Sequence, residues 1–524
     1  MLALTALETA TALTYAVASL LLFVFGVNLV SFAISVWRRG PKSEQSAPVI
    51  DEDDLPLVTV QLPIYNELYV SERIINAACA LDYPAHKLQI QVLDDSTDET
   101  TTLISQIVDD ARSLGTNIVH VHRTNRSGYK AGALAEGMET ATGEFIAIFD
   151  ADFVPPPDFL MRTVGEFSEP DVAFVQARWG HLNRDYSWLT KVQALAIDGH
   201  FLVEQSGRGD RGYWFNFNGT AGIWRAEAIN DAGGWTAETL TEDLDLSYRA
   251  HLRGWTARYV EDLVVPAELP VQLLGFRRQQ HRWARGSMEC ARKLLPSVWR
   301  TDASIGTKFQ ATVHLLAYGI HLLLLLLLLL YPLVVQVGAN NAGFSTLYGA
   351  GYLLALTSLA PGIFFIVGQR QAGRSWAKAI PRIALVTVFG SGLMLNTARA
   401  ALEIFTKPNP EFERTAKFGL DEAPDDASWT KRRYQLEIDR IVLGELALAA
   451  WGIFAITYAW TNQNWGIFIY ATVFTAGLLI MAFASVAHAI ASYRDRSDRK
   501  AQLLLENQSW ASEEAPAREV RSRR

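Results

Sequence analysis

Apolar positions along this chain fall into two patterns. Long, mainly apolar runs occupy about residues 13–36, 309–337, 347–368, 441–460 and 465–492, and leucine is continuous from Leu322 to Leu330. Each reaches the length of about 20 residues that a helix needs to cross a bilayer. Between the first and second, apolar residues come in runs of strand length: Leu57-Val58-Thr59-Val60-Gln61-Leu62, Leu88-Gln89-Ile90-Gln91-Val92-Leu93, Ile118-Val119-His120-Val121 and Phe145-Ile146-Ala147-Ile148-Phe149. These alternate with helical segments, which predicts an open, mostly parallel α/β sheet. A further apolar run, 383–402, has Arg374, Lys378 and Arg382 before it, Arg399 inside it, and Lys407, Arg414, Lys417, Lys431, Arg432 and Arg433 after it. Basic residues on both sides disfavour a crossing and predict an interfacial or re-entrant helix.

The basic residues also set a topology. Arg38, Arg39 and Lys42 follow the first run, Arg494, Arg496, Arg499 and Lys500 follow the last, and the turns at Asn340-Asn341 and Thr461-Asn462-Gln463-Asn464 carry no charge. By the positive-inside rule the chain has five spans, an outside N-terminus, a cytoplasmic soluble portion and a cytoplasmic tail, in the plasma or inner membrane. No basic region precedes the first run and no clear cleavage site follows it, so it reads as a retained span. The expected organisation is a transmembrane helix at 1–40, a soluble domain at 51–300, helix pairs at 305–370 and 438–493, an interfacial segment at 375–435 and a disordered tail at 494–524. Over 524 residues, 50% are hydrophobic, 19% are charged and the net charge is −8, which argues against nucleic acid as a partner. The two cysteines, Cys79 and Cys290, form no CxxC, so a disulfide framework or structural zinc is not expected.

Four polar motifs interrupt the soluble portion. Asp94-Asp95 and Asp150-Ala151-Asp152 end the second and fourth strands, where open α/β sheets bind ligands. Such acids also serve as turn formers or helix caps. Their chemical reading is hard oxygen donors for Mg²⁺ or Mn²⁺ on a nucleotide diphosphate, with Asp152 as metal ligand, Asp150 shared between metal and nucleoside, and Asp95 at the base or ribose. Gly128-Tyr129-Lys130-Ala131-Gly132 lacks the full phosphate-loop spacing, and Lys130 is left as a point charge for the nucleotide. Thr241-Glu242-Asp243 places acids where a helix begins, a position the helix dipole alone favours. For sugar transfer with inversion, one carboxylate must take the proton of the attacking hydroxyl; Asp243 is assigned that role, with Glu242 beside it. Gln279-Gln280-His281-Arg282-Trp283 lies in a basic cluster that also suits a membrane surface, yet it pairs a diphosphate-binding fork with an aromatic face for a sugar. His200 and Glu204, four residues apart, read as a hydrogen-bonded pair rather than a metal site.

Together with Val60-Gln61-Leu62-Pro63-Ile64-Tyr65-Asn66-Glu67, Val175-Gln176-Ala177-Arg178-Trp179 and Phe217-Asn218-Gly219-Thr220-Ala221-Gly222, these motifs resemble processive family 2 glycosyltransferases of the cellulose synthase superfamily, nearest the cellulose synthase-like A and C branches. The resemblance implies a GT-A fold and polymerisation of a β-linked, β-1,4 glucan, mannan or glucomannan through a channel of transmembrane helices, with accessory secretion subunits as partners; the alternative reading is a non-processive glycosyltransferase that adds one or a few sugars to a lipid or short oligosaccharide acceptor, with the helices as anchor. UDP-glucose and GDP-mannose both suit the motifs as donor. It adds Glu67 and Gln279 to the nucleotide-sugar contacts with Arg282, and places the acceptor terminus near Phe217, Gly219, Thr220 and Trp283. Phe412, Thr415 and Lys417 match a gating loop over the nucleotide, except that Arg414 stands where that pattern has valine. The tail is too short for the cyclic-di-GMP-binding domain that bacterial cellulose synthases carry.

Overall fold

The computed structural model describes residues 5–42, 50–340, 356–407, 412–420, 434, 439–487 and 490. The tail at 494–524, the start of the run at 347–368 and the basic triplet Lys431-Arg432-Arg433 lie outside the described residues.

All four sequence-read strands form, and three later ones join them. β1 (Val58–Ile64), β2 (Leu88–Asp94), β3 (Ile118–His122) and β4 (Phe145–Ile148) are parallel neighbours, followed by β5 (Val172–His181), β6 (Gly222–Arg225) and β7 (Thr256–Ala267). They make one seven-stranded sheet in the order β3-β2-β1-β4-β6-β5-β7, with β6 antiparallel to both neighbours. The central strands are buried on both faces, so their apolar runs are nearly continuous rather than alternating. The polar exceptions are paired across the sheet: Gln61 Nε2 donates to Gln91 Oε1 at 3.0 Å and Thr59 Oγ1 to Gln89 Oε1 at 2.8 Å. Register aligns Ile64 with Asp94 and Asp94 with His122, so β1, β2 and β3 all end at one edge of the sheet.

The helices follow in chain order: α1 (Ala6–Arg39), α2 (Ser71–Cys79), α3 (Thr100–Ser113), α4 (Tyr129–Thr140), α5 (Phe159–Val164), α6 (Trp188–Gly199), α7 (Ser206–Asp210), α8 (Ala226–Asp231), α9 (Glu242–Leu252), α10 (Leu273–Arg300), α11 (Ile305–Leu315) and α12 (Ile320–Asn340). A π-helical segment, His200–Gln205, joins α6 to α7. The sequence-read helix at 188–205 is thus continuous but changes pitch at His200.

Among the described residues, four helices are long and apolar enough to cross a membrane: Ala6–Arg39, Ala317–Asn340, Ile441–Thr461 and Trp465–Ala487. The run read from 309 breaks at Leu316, because α11 packs Ala311 and Leu315 against Cys290 and Leu294 of α10. Trp376–Gly392 and Met394–Glu403 form a pair bent by 42°, which counts as a fifth crossing only if the pair is one span. α1 is tied to the sheet-bearing portion at its basic end. Arg39 reaches Asp210 at 2.6 Å and Glu261 at 2.7 Å, and Lys42 reaches Asp210 at 3.2 Å. The cluster read as a topology signal is therefore also a docking contact.

Candidate active site

At the strand-end edge a cavity of about 190 Å³ is lined from four directions: the loops after β1, β2 and β4, the start of α9, the first half of α10, and segment 412–417. Most residues singled out in the sequence meet here: Glu67, Asp95, Lys130, Asp150, Asp152, Gly219, Glu242, Asp243, Gln279, Arg282, Trp283, Phe412, Thr415 and Lys417.

Asp95, after β2, forms a bidentate pair with Arg123, both contacts 2.6 Å. Lys130 enters from the first turn of α4, where Gly132 permits the close turn; a Cβ there would lie 2.0 Å from Ser127 O. Its ammonium donates to Asp150 Oδ1 at 2.5 Å and to Gly219 O at 2.7 Å, with Glu242 3.8 Å away. Burial opposes the Lys130 charge, but Asp150 and Glu242 together hold its pKa above the ordinary lysine value.

Asp243 faces this ammonium across Gly219. Gly219 has φ +80°, and a Cβ there would stand 2.9 Å from Asp243 Oδ2, so glycine is required both for the turn and for the space. Burial, reinforced by the adjacent Glu242 and opposed by Lys130, raises the Asp243 pKa to about 7. Such a carboxylate is poised to exchange a proton near neutrality. Its position is set from α10: Glu289 accepts the Leu240 N–H at 2.9 Å, and a Cβ on Gly286 would lie 2.5 Å from Thr241 Cγ2. That packing fixes α9 against the helix that carries Gln279, Arg282 and Trp283.

Segment 412–420 closes the opposite side. Phe412 stacks on Tyr129 with centroids 5.7 Å apart, and the Arg282 guanidinium lies 4.5 Å from the Phe412 centroid. Arg282 Nη1 donates to Glu413 O at 2.8 Å. Arg414, where the family pattern has valine, lies 3.2 Å from Glu67, whose pKa burial raises to about 8 against the opposing Arg414 charge. Lys417 Nζ donates to Asp152 Oδ2 and to Glu268 O, both at 2.5 Å, and Glu268 accepts the backbone N–H groups of Phe418 and Leu420.

Asp150 and Asp152 each hold a lysine ammonium in the position where they would hold another cation. Two hard carboxylate donors at adjoining places suit Mg²⁺ or Mn²⁺, so the residues fit the expected metal.

Two acceptor assignments need correction. Phe217 is fully buried among Phe174 and Trp224, and Thr220 is fully buried beneath the cavity floor. Neither reaches the cavity, because the chain must reverse here to start antiparallel β6. Thr220 Oγ1 instead accepts the Asp150 N–H at 2.8 Å, which orients the aspartate from behind. Asn218, between them, does face the cavity. Its amide donates to His200 Nε2 at 3.2 Å, and His200 Nδ1 lies 3.2 Å from Glu204 Oε2, so this pair is the hydrogen-bonded one read from the sequence.

Sequence reasoning missed Arg126, Trp179, His181 and Glu268, all of which line the cavity. Arg126 lies 3.5 Å over the Tyr65 ring. His181 pairs with Asp198 at 3.1 Å, and Asp198 also holds Arg374 at 2.7 Å. Trp179 stood within a quoted motif; Glu268 had no local signal, since its role depends on a segment about 150 residues away.

A mixed sheet with acidic strand ends, a buried carboxylate and a cationic-aromatic helix across from it fit a glycosyltransferase of GT-A fold. Residues 56–286 match the family described as "Glycosyltransferase like family 2". The chain is 45% identical over 274 residues to glucomannan 4-beta-mannosyltransferase 2 of Arabidopsis thaliana, covering 50% of this chain and 51% of that protein. It is 38% identical over 374 residues to probable glucomannan 4-beta-mannosyltransferase 15 of the same plant, covering 67% and 69%. The chain thus spans about half the length of the first relative and about two thirds of the second. Among solved structures it is similar to mannosyltransferase PcManGT from Pyrobaculum calidifontis in complex with GDP-Man and Mn²⁺, at TM-score 0.45 and 22% identity, over 77% of this chain and 99% of that one. The chain belongs to the family 2 glycosyltransferases, in the cellulose synthase-like branch of its glucomannan mannosyltransferase relatives.

Proposed function

We propose that the protein is an inverting hexosyltransferase that moves mannose from GDP-mannose to the non-reducing end of a growing β-1,4-linked mannan or glucomannan. The relatives, which are named as glucomannan 4-beta-mannosyltransferases, favour GDP-mannose over UDP-glucose. The observation that carries the chemistry is Asp243, held near neutrality beside Gly219 and opposite Arg282.

In the proposed reaction the acceptor hydroxyl loses its proton to Asp243 as its oxygen attacks the anomeric carbon. The new C–O bond forms as the bond from that carbon to the diphosphate oxygen breaks, and GDP departs from the opposite face. Arg282, Lys130 and Arg126 line the cavity as cations for the leaving diphosphate, and electrostatic stabilisation of this kind is commonly the largest catalytic contribution. Asp152 and Asp150 are the residues to hold Mg²⁺ or Mn²⁺, which when bound supplies Lewis-acid neutralisation of the diphosphate. Trp283 and Trp179 supply aromatic faces for sugar rings, and Asn218 a polar contact.

The catalytic portion is assigned to the cytoplasmic side, with the apolar helices forming the exit path and the bent pair 376–403 lying at the interface. Met394–Glu403 packs against α10: Asn396 Nδ2 donates to Arg277 O at 3.0 Å, and Arg292 Nη1 to Ile404 O at 3.1 Å. The helix bearing Arg282 and Trp283 is therefore seated directly on the apolar region.

The test is to incubate detergent-purified full chain with Mn²⁺ or Mg²⁺ and radiolabelled GDP-mannose or UDP-glucose, then digest retained product. Long product cleaved by β-mannanase supports the reading. Product cleaved only by β-glucanase replaces the donor, and only short or lipid-extractable product replaces polymerisation with single transfer.

A further inference from the structure

Behind the nucleotide wall, at the outer edge of the sheet, lies one cluster of metal-ligating side chains among the described residues that the transfer chemistry does not use. Asp94 Oδ2, His120 Nε2 and His122 Nδ1 lie within 4.8 Å of one another. Asp94 Oδ2 is 3.0 Å from the first imidazole nitrogen and 3.2 Å from the second.

The fold builds this arrangement. His120 and His122 are two residues apart on β3 and therefore project from the same face. The parallel register places His122 beside Asp94 on β2. β3 is the outermost strand, so His122 is open to solvent at 36% side-chain exposure, while the Asp94 carboxylate is fully buried. Oδ1 of Asp94 accepts the Ser96 N–H at 2.8 Å, which fixes the carboxylate so that Oδ2 faces the two rings. Oriented ligands of this kind characterise protein metal sites.

The spacing also fits. Ligand atoms about 2.0–2.1 Å from a tetrahedral Zn²⁺ are separated by about 3.3–3.4 Å. The two carboxylate-to-imidazole distances, 3.0 and 3.2 Å, are close to that edge length. Two imidazoles with one carboxylate suit zinc-like first-row cations and are poor donors for Mg²⁺, which takes oxygen ligands.

We propose that Asp94, His120 and His122 form a binding site for a first-row transition cation of the Zn²⁺ class, with its fourth position open to water on the His122 side. This site is separate from the oxygen-donor pair Asp150 and Asp152. It is continuous in the chain with the nucleotide wall, since Asp95 follows Asp94 and Arg123 follows His122, and these two form a bidentate pair whose Asp95 lines the cavity. The Arg123 N–H also donates to Asp94 O at 2.9 Å. A cation joining residues 94 and 122 fastens both strands that carry this pair.

The experiment uses the full chain in detergent, stripped with chelator and held in excess Mg²⁺ to saturate oxygen-donor positions, then titrated with Zn²⁺ by calorimetry and assayed for retained metal by mass spectrometry. One Zn²⁺ per chain is expected, with affinity reduced on the order of tenfold or more in His122→Gln and in His120→Gln, and unchanged in Asp152→Asn. Co²⁺ in place of Zn²⁺ should give the visible absorption of tetrahedral cobalt, lost in His122→Gln. His122 is solvent-facing, so its variant should keep its fold, as circular dichroism would verify. Equal zinc binding by the histidine variants and the parent, or no retained zinc in the parent, overturns the proposal. Because the readout is metal binding rather than sugar transfer, a failed donor assignment leaves it standing, and the reverse holds as well.

Discussion

The two walls of the cavity are built in different ways. The wall formed by β1, β2, β4 and α4 takes its polar groups from strand ends and one helix start, each a few residues from the backbone that positions it. The wall formed by segment 412–420 has no regular secondary structure and is held by contacts with distant parts of the chain: the charges of Arg414 against Glu67, Lys417 against Asp152 and Glu268 against two backbone N–H groups, together with Phe412 on Tyr129 and Phe418 and Leu420 packed with Val271. The first wall is set by sheet register and should persist when single side chains change. The second depends on contacts between residues hundreds of positions apart, so it should respond to single charges, to metal and to nucleotide.

The largest expected effect tests the centre shared by both walls. Asp243→Asn should lower transfer by about 10²–10⁴-fold, the range of general-base catalysis, while nucleotide binding measured by calorimetry remains. Loss of both would make Asp243 structural and would merge the two walls into one folding unit.

Next is the seat of α10 in the apolar region. Arg277 and Glu445 form a buried pair at 2.7 Å, also bonded to Ser485. Arg277→Met leaves Glu445 unpaired and should destabilise the protein by about 3–5 kcal/mol, read as thermal unfolding in detergent. The double variant Arg277→Met/Glu445→Leu should recover much of that loss, since both charges are then gone. No recovery would show that Arg277 acts by shape rather than charge.

A pH profile sharpens the assignment of the base. The Asp243 pKa is raised to about 7, so its proton-accepting form dominates only above that value. The value of kcat/KM should therefore fall about tenfold per pH unit below the transition and level off above it. A profile flat down to pH values near ordinary carboxylates would place the base elsewhere.

Smaller effects separate the walls directly. Lys417→Met removes the ammonium that neutralises Asp152, and Mn²⁺ affinity measured by electron paramagnetic resonance should rise about tenfold, equivalent to about 1.4 kcal/mol. Thr220→Val removes the acceptor of the Asp150 N–H and should cost about 1 kcal/mol, a few-fold loss in transfer with little change in fold. If Thr220→Val exceeded Lys417→Met, the strand-end wall would be the more sensitive one, reversing the comparison.

Legibility in the sequence follows the same division. Asp94-Asp95, Asp150-Ala151-Asp152 and Thr241-Glu242-Asp243 were readable because each sits at the end of a strand or the start of a helix, where local pattern predicts the geometry. Phe217 and Thr220 were misplaced by one residue on either side of Asn218 and Gly219. Which side chain of a turn faces a cavity depends on dihedral angles such as the +80° at Gly219, which apolar patterning does not report. The break at Leu316 was hidden because an apolar run looks the same whether it faces lipid or another helix.

By itself the sequence determined the parallel core of the sheet, the existence of long apolar helices, and the order of the acidic and cationic-aromatic motifs. These depend on periodicity and on residue type, both local properties. Only the tertiary structure decided that β6 runs antiparallel, that Lys130 and Lys417 each neutralise one aspartate of Asp150-Ala151-Asp152, that Glu268 anchors segment 412–420, and that His120 and His122 meet Asp94. Each of these joins groups distant in the chain, and such contacts arise from strand register and charge pairing in three dimensions rather than from any neighbourhood in the sequence.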